Sequence, residues 1–258
     1  MNGRNAHKGI FAGVSLLVAA GIMLQSAIAA PVVTSPQALV KQGKVELQAN
    51  QLDSAINSLT KAEKELGTAP GSCECHYLLG KAQCLKAKKT SDKARLREAK
   101  RELRAAIRVG RGNAISKMAN DFMMANLPAD MLTPRVGDGT EMIAARLGLR
   151  GADRGSAGAA KPQIFEFYAD WCEPCKLLEP VMARIKTQYG DQVEVTRINV
   201  DDKNNAAMLD QYDVSPIPTV IYLNPDGQVV GYSIGFSGEG SVQKEMRKLI
   251  PPVSANKT

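Results

Sequence analysis

Cys172-Glu173-Pro174-Cys175 sets two thiols three positions apart, where a strand predicted over residues 164–168 gives way to a helix predicted to start near Pro174. Thiols at that spacing lie on consecutive backbone turns, close enough to form a disulfide and to release it. The first sits in the positive field of the helix macrodipole, beside backbone N–H groups that have no partner. That field stabilises a thiolate, the nucleophile of thiol–disulfide exchange. The rival chemistry for a bare CxxC is half of a zinc site. A structural zinc centre draws on four Cys or His ligands, and the nearest others lie at 73–84, across a linker. The histidines are His7 and His76, so a Cys–His nucleophilic pair inside this segment is ruled out. Neither a metal nor an organic cofactor is expected.

The elements around the dithiol alternate. A strand at 164–168 leads to a helix at 174–189, then a strand at 193–200 and a helix at 205–212. A strand at 219–223 turns through Asn224-Pro225-Asp226-Gly227 into a strand at 228–233, and a last helix covers 240–250. Two apolar strands separated by a helix indicate a βαβ unit, and Pro-Asp-Gly a hairpin.

With these motifs in place, residues 163–250 resemble the thioredoxin family. The stretch 165–176, Phe-Glu-Phe-Tyr-Ala-Asp-Trp-Cys-Glu-Pro-Cys-Lys, matches the family's active-site segment. Ser215-Pro216-Ile217-Pro218-Thr219 matches its cis-proline loop, and Gly235 the glycine beside its substrate groove. The resemblance covers about a third of the chain. The family's usual first strand and helix are not obvious; residues 141–147 stand where a remnant would be.

The resemblance implies roles. Cys172 is the exposed attacking thiolate and Cys175 the less exposed resolving thiol. Trp171 is a rigid apolar wall, and Pro174 fixes φ in the first helical turn, where its missing N–H costs nothing. Pro180 should kink the helix. Glu166 stands where the family has a buried aspartate that accepts the resolving thiol's proton; burial would raise its pKa toward neutrality. Arg197 matches a lysine near that acid, and a plain Glu166–Arg197 ion pair is the alternative. A cis bond before Pro218 would present the backbone of Ile217 to an extended substrate, whereas Pro216 is expected only to stiffen the loop. No histidine lies between the cysteines, and Glu173 opposes a thiolate. The expected potential is therefore nearer thioredoxin, about −270 mV, than the fold's strong oxidants, about −120 mV.

The first half is different. Residues 36–111 read as helix, with turn signals near 67–72 and 89–92. Gly43 is followed by Ala55, Leu59 and Ala62; Gly80 is followed by Ala99, Leu103 and Ala106, with the same Ala-x3-Leu-x2-Ala spacing. This resembles tetratricopeptide packing, capped by a further helix at 115–127; an unrelated helical hairpin is the alternative. The expected organisation is a tetratricopeptide-like all-α module over 36–127, a linker over 128–162, the α/β thioredoxin fold over 163–250 and a tail at 251–258. Cys73, Cys75 and Cys84 are read as structural. Cys75 and Cys84 lie about 13 Å apart along one helix, too far to bridge. A bridge from Cys73 or Cys75 to a neighbouring segment, ligation with His76, or exchange with the CxxC are the alternatives.

The net charge of +7 is concentrated in the first half, with eleven Lys and Arg against three acids over residues 86–111. Such a run is a solvated helix face, or else contacts an acidic partner or an anionic membrane. With no aromatic residues interleaved there, nucleic acid is not expected. Arg4, His7 and Lys8 precede an apolar stretch at 9–24 and Ala27-Ile28-Ala29. This is a signal peptide cut after Ala29, or an uncleaved membrane anchor within 1–30. Both readings place the rest outside the cytoplasm, in a periplasm or its equivalent. The whole reads as an exported thiol–disulfide oxidoreductase, reductase favoured, acting on protein disulfides. The resemblance to membrane-associated or lumenal relatives implies a membrane thiol-transfer electron donor. The alternative is a binding adaptor whose helical module holds a protein partner while the CxxC senses redox state.

Overall fold

The computed structural model describes residues 35–69, 71–134 and 161–250. The targeting segment, residues 141–147, most of the linker and the tail lie outside them. No helix among the described residues is long and apolar enough to cross a membrane.

Among the described residues the first half holds five helices, α1 (Pro36–Gln48), α2 (Leu52–Leu66), α3 (Ser72–Thr90), α4 (Lys93–Gly110) and α5 (Ala114–Asn126), followed by a single turn, α6 (Ala129–Leu132). Their starts are written in the sequence as N-caps. Ser35 Oγ accepts from the Ala38 N–H, Asp92 from Arg95, and Asn113 from both Ile115 and Ser116. The break between α1 and α2 is absent from the sequence reading. It contains neither Gly nor Pro, and is made by Asn50 at φ 59°, a left-handed conformation that asparagine tolerates.

Both predicted glycines mark close helix approaches. A Cβ on Gly43 would lie 2.5 Å from Leu59 Cγ, and one on Gly80 would lie 2.8 Å from Leu103 Cγ. Leu59 and Leu103 are fully buried with Ala55, Ala62, Ala99 and Ala106 in one continuous core. The all-α module thus fits the tetratricopeptide-like pattern.

The second half is a four-stranded mixed sheet in the order β2-β1-β3-β4: β1 (Gln163–Tyr168), β2 (Glu194–Asn199), β3 (Thr219–Leu223) and β4 (Val229–Ile234). β1 runs parallel to β2 and antiparallel to β3, and β3–β4 is the antiparallel hairpin. The helices are α7 (Glu173–Tyr189), α8 (Ala206–Gln211), entered through a 3₁₀ turn at Lys203–Asn205, and α9 (Glu239–Leu249). Alternation along the strands assigns the faces. Phe165, Phe167, Ile221 and Leu223 pack with Tyr212 and both dithiol cysteines on one side. Ile164, Val220 and Tyr222 pack with Leu178, Met182 and Met246 on the other. This is the thioredoxin fold in its C-terminal portion, with the dithiol where β1 ends and α7 begins.

Candidate functional site

Cys172 is the N-cap of α7. Its Sγ accepts the Cys175 N–H at 3.3 Å and is disulfide-bonded to Cys175, with the Cα atoms 5.2 Å apart. The positive end of a 17-residue helix therefore points at this sulfur. Pro174 occupies the first turn and Pro180 lies inside the helix. Glu173 is exposed and pairs with Lys176 at 2.8 Å. That hydrogen bond, with smaller help from the charge of Lys117, holds its carboxyl below the ordinary range. The negative charge beside the dithiol is thus partly compensated.

Exposure corrects one expectation. Cys172 is 2 % exposed and Cys175 1 %, so the first cysteine is not the accessible member of the pair. The helical module contacts residues around it, at Trp171, Ile217 and Gly235. Trp171 packs against the helical core and donates its indole N–H to Asp201 Oδ2 at 2.8 Å. A Cβ on Gly112 would lie 2.6 Å from Trp171 Cδ1. Burial raises the Asp201 carboxyl, against the pull of the Trp171 hydrogen bond.

Ile217 is the second covered position. Its N–H donates to Asn120 Oδ1 at 2.9 Å, and its carbonyl accepts from Asn120 Nδ2 at 3.1 Å. The Ile217–Pro218 bond is cis; so is Ser215–Pro216, where only a stiffening proline was expected. Gly235, at φ 70°, donates its N–H to the Pro218 carbonyl at 2.8 Å. The methyl of Met124 sits 3.0 Å from where a Cβ on Gly235 would be. Trp171, Ile217, Pro218 and Gly235 are therefore brought together. The sequence reading missed Asn120, Met124, Gly112 and Asp201, which hold no motif.

On the other side of the dithiol, Glu166 is fully buried and accepts from Arg197 Nε at 2.9 Å. Burial drives its pKa up, and Arg197 works against the rise. The ion pair weighed from the sequence is present. Arg197 also reaches Glu179 at 3.0 Å and stacks over the Tyr168 ring at 4.1 Å. Cys175 borders a cavity of about 330 Å³ shared with Tyr168, Lys176, Glu179 and Arg197.

The remaining thiols are in structural settings. Cys73 Sγ donates to the Ala106 carbonyl at 3.2 Å and Cys75 Sγ to the Leu59 carbonyl at 3.4 Å. Burial pushes all three thiols up, Cys75 to about 12, which disfavours the thiolate that exchange requires. His76 is engaged by Glu102 at 2.8 Å. No group of three metal-ligating side chains occurs among the described residues. The basic run meets an acidic surface within the chain itself. Lys100 pairs with Asp213 at 2.7 Å; Arg104 pairs with Asp213 and donates to the Leu209 carbonyl; Arg108 pairs with Asp210.

Residues 156–248 match the family model described as Thioredoxin. A thioredoxin of Mycolicibacterium smegmatis is 38 % identical over 89 residues, 34 % of this chain and 79 % of that protein. The thiol:disulfide interchange protein TxlA of Synechococcus elongatus is 42 % identical over 76 residues, 29 % of this chain and 39 % of its own length. The chloroplastic thioredoxin-like protein HCF164 of Arabidopsis thaliana is 40 % identical over 75 residues, 29 % of each chain.

Proposed function

The chain belongs to the thioredoxin family and is a thioredoxin-like thiol–disulfide oxidoreductase; on that premise we propose that it is an exported reductase of protein disulfides. The observation that carries the thiol-exchange part of the reading is the position of Cys172, whose sulfur caps α7 and accepts the Cys175 N–H. A negative charge on that sulfur gains from both the amide and the helix field.

In the reduced enzyme the Cys172 thiolate attacks one sulfur of a substrate disulfide. A Cys172–substrate bond forms, the substrate S–S bond breaks, and the leaving sulfur takes a proton. Cys175 then loses its proton, with Glu166 as acceptor, and attacks the Cys172 sulfur. The second substrate sulfur departs as a thiolate and takes the proton back from Glu166, and the enzyme disulfide seen in the structure remains. Two electrons and two protons have passed to the substrate. Trp171, Ile217, Pro218 and Gly235 form the substrate groove, Pro174 and Arg197 support it, and a membrane thiol-transfer donor returns the electrons outside the cytoplasm. The reducing poise rests on the absence of histidine between the cysteines more than on Glu173, because Lys176 compensates that charge.

A Cys175→Ser variant of the full chain should accumulate mixed disulfides through Cys172, and a further Cys172→Ser change should abolish them. With dithiothreitol as reductant, the parent should reduce insulin disulfides. Failure of both the trapping and the insulin reaction overturns the reading. It would favour the adaptor, for which the burial of Cys172 already speaks. A potential above that of glutathione would remove the reductase direction alone.

A further inference from the structure

The residues that a protein substrate would need are occupied by the chain's own helix. A polypeptide strand pairs with a neighbour by offering one N–H and one C=O to each paired residue. The carboxamide of Asn120 offers the same donor and acceptor, and both are spent on Ile217, at 3.1 Å and 2.9 Å. Asn120 is itself 4 % exposed, so water does not replace it. One turn further along α5, Met124 lies against Gly235, and before α5 begins Gly112 lies against Trp171. Three separate positions of the groove are thus contacted from one continuous stretch, Gly112 to Met124. The ion pairs from Lys100, Arg104 and Arg108 to Asp210 and Asp213 fasten the helix before it to the same domain.

We propose that α5 is an intramolecular occupant of the protein-substrate groove, and that an extended segment of a disulfide-bearing protein reaches Cys172 only after α5 is displaced. Asn120 acts as a surrogate for the substrate backbone, Met124 fills the place of a substrate side chain at Gly235, and the burial of Cys172 is a consequence of docking. This rests on the oxidoreductase reading only for its consequence in turnover. Closure lowers the apparent rate in proportion to the open fraction, so each tenfold bias toward the docked state costs tenfold in protein reduction. Whatever binds the helical module and favours its release would switch the enzyme on.

The test uses the reduced full chain and a polymer-linked maleimide, with modification read at Cys172 by peptide mass. Asn120→Ala leaves the Ile217 N–H and carbonyl without partners only while the module is docked. It should therefore speed modification about tenfold. Met124→Ala removes a partly exposed side chain, keeps the core intact, and should speed modification by a smaller factor. Parental rates in both variants, with helical circular dichroism retained, overturn the proposal. Insulin reduction by the same proteins separates the two readings. Faster modification with faster insulin turnover supports both. Faster modification with no insulin turnover in any variant supports the occupied groove and removes the proposed reduction of protein disulfides instead.

Discussion

Glu166 is held between two opposing influences. Its carboxyl has no exposed surface, which favours the protonated form, while Arg197 at 2.9 Å favours the charged one. Burial is the larger, so its native pKa stands above the ordinary 4.5. Between those two values the folded chain binds a proton that the unfolded chain has released. Stability attributable to this group is therefore fully present below the unfolded value and is lost as pH rises through the native one. Glu166→Gln lacks that loss, and Arg197 keeps Glu179 as a partner. Denaturant unfolding from about pH 4 to about pH 8 should show the stability of Glu166→Gln gaining on the parent as pH rises. A difference that stays constant across the range would show that burial does not control the carboxyl. If Glu166 also takes the proton of Cys175, resolution of the mixed disulfide by Cys175 in Glu166→Gln should slow by about 10²-fold. An unchanged rate would confine the residue to its ion pair.

At the scale of elements, the two glycine approaches of the helical module differ in what surrounds them. A methyl at Gly80 would meet Leu103 Cγ at 2.8 Å, and also the Ala99 carbonyl and the Leu103 amide nitrogen at 3.1 Å. At Gly43 the three atoms nearest to such a methyl all belong to the side chain of Leu59. Side chains yield more readily than helix backbone, so α3 and α4 would have to separate where α1 and α2 need only repack. Gly80→Ala should cost about 1–3 kcal/mol, and Gly43→Ala less, in thermal unfolding; the reverse order would reject the close-approach reading. These contacts were legible because a glycine followed by a fixed Ala-Leu-Ala spacing is a local pattern. The α/β half was legible for the same reason: Phe165 to Lys176 and Ser215 to Thr219 carry their chemistry in contiguous residues. The turn at Asn50 and the pairing of Asn120 with Ile217 were not. The first depends on one residue's tolerance of positive φ. The second joins a helix side chain to a backbone 97 positions away, which no periodicity encodes.

At the scale of the whole molecule, the question is what holds the helical module on the dithiol domain, and Asp213 offers a clean lever. It stands at φ 48°, a conformation asparagine also accepts, so Asp213→Asn removes a charge with little change of backbone or volume. Its carboxylate serves Lys100 and Arg104, both on α4 and both largely withdrawn from water. Taking one carboxylate from such a cluster costs about 3–5 kcal/mol where burial is complete. Here the residual exposure, and the bonds Arg104 keeps to Asp210 and the Leu209 carbonyl, bring the expected cost to about 2–3 kcal/mol. The loss falls on docking, because the pairs connect the two halves and belong to the core of neither. The sensitive reporter is the Ile217 amide, whose acceptor is Asn120 Oδ1 on the far side of the interface. Its hydrogen exchange should quicken about 30- to 140-fold in Asp213→Asn, while amides of β3 that pair within the sheet keep their parental protection. Uniform acceleration through both halves would make Asp213 a determinant of global stability. An unmoved Ile217 would show that these ion pairs do not fasten the helical module over the dithiol.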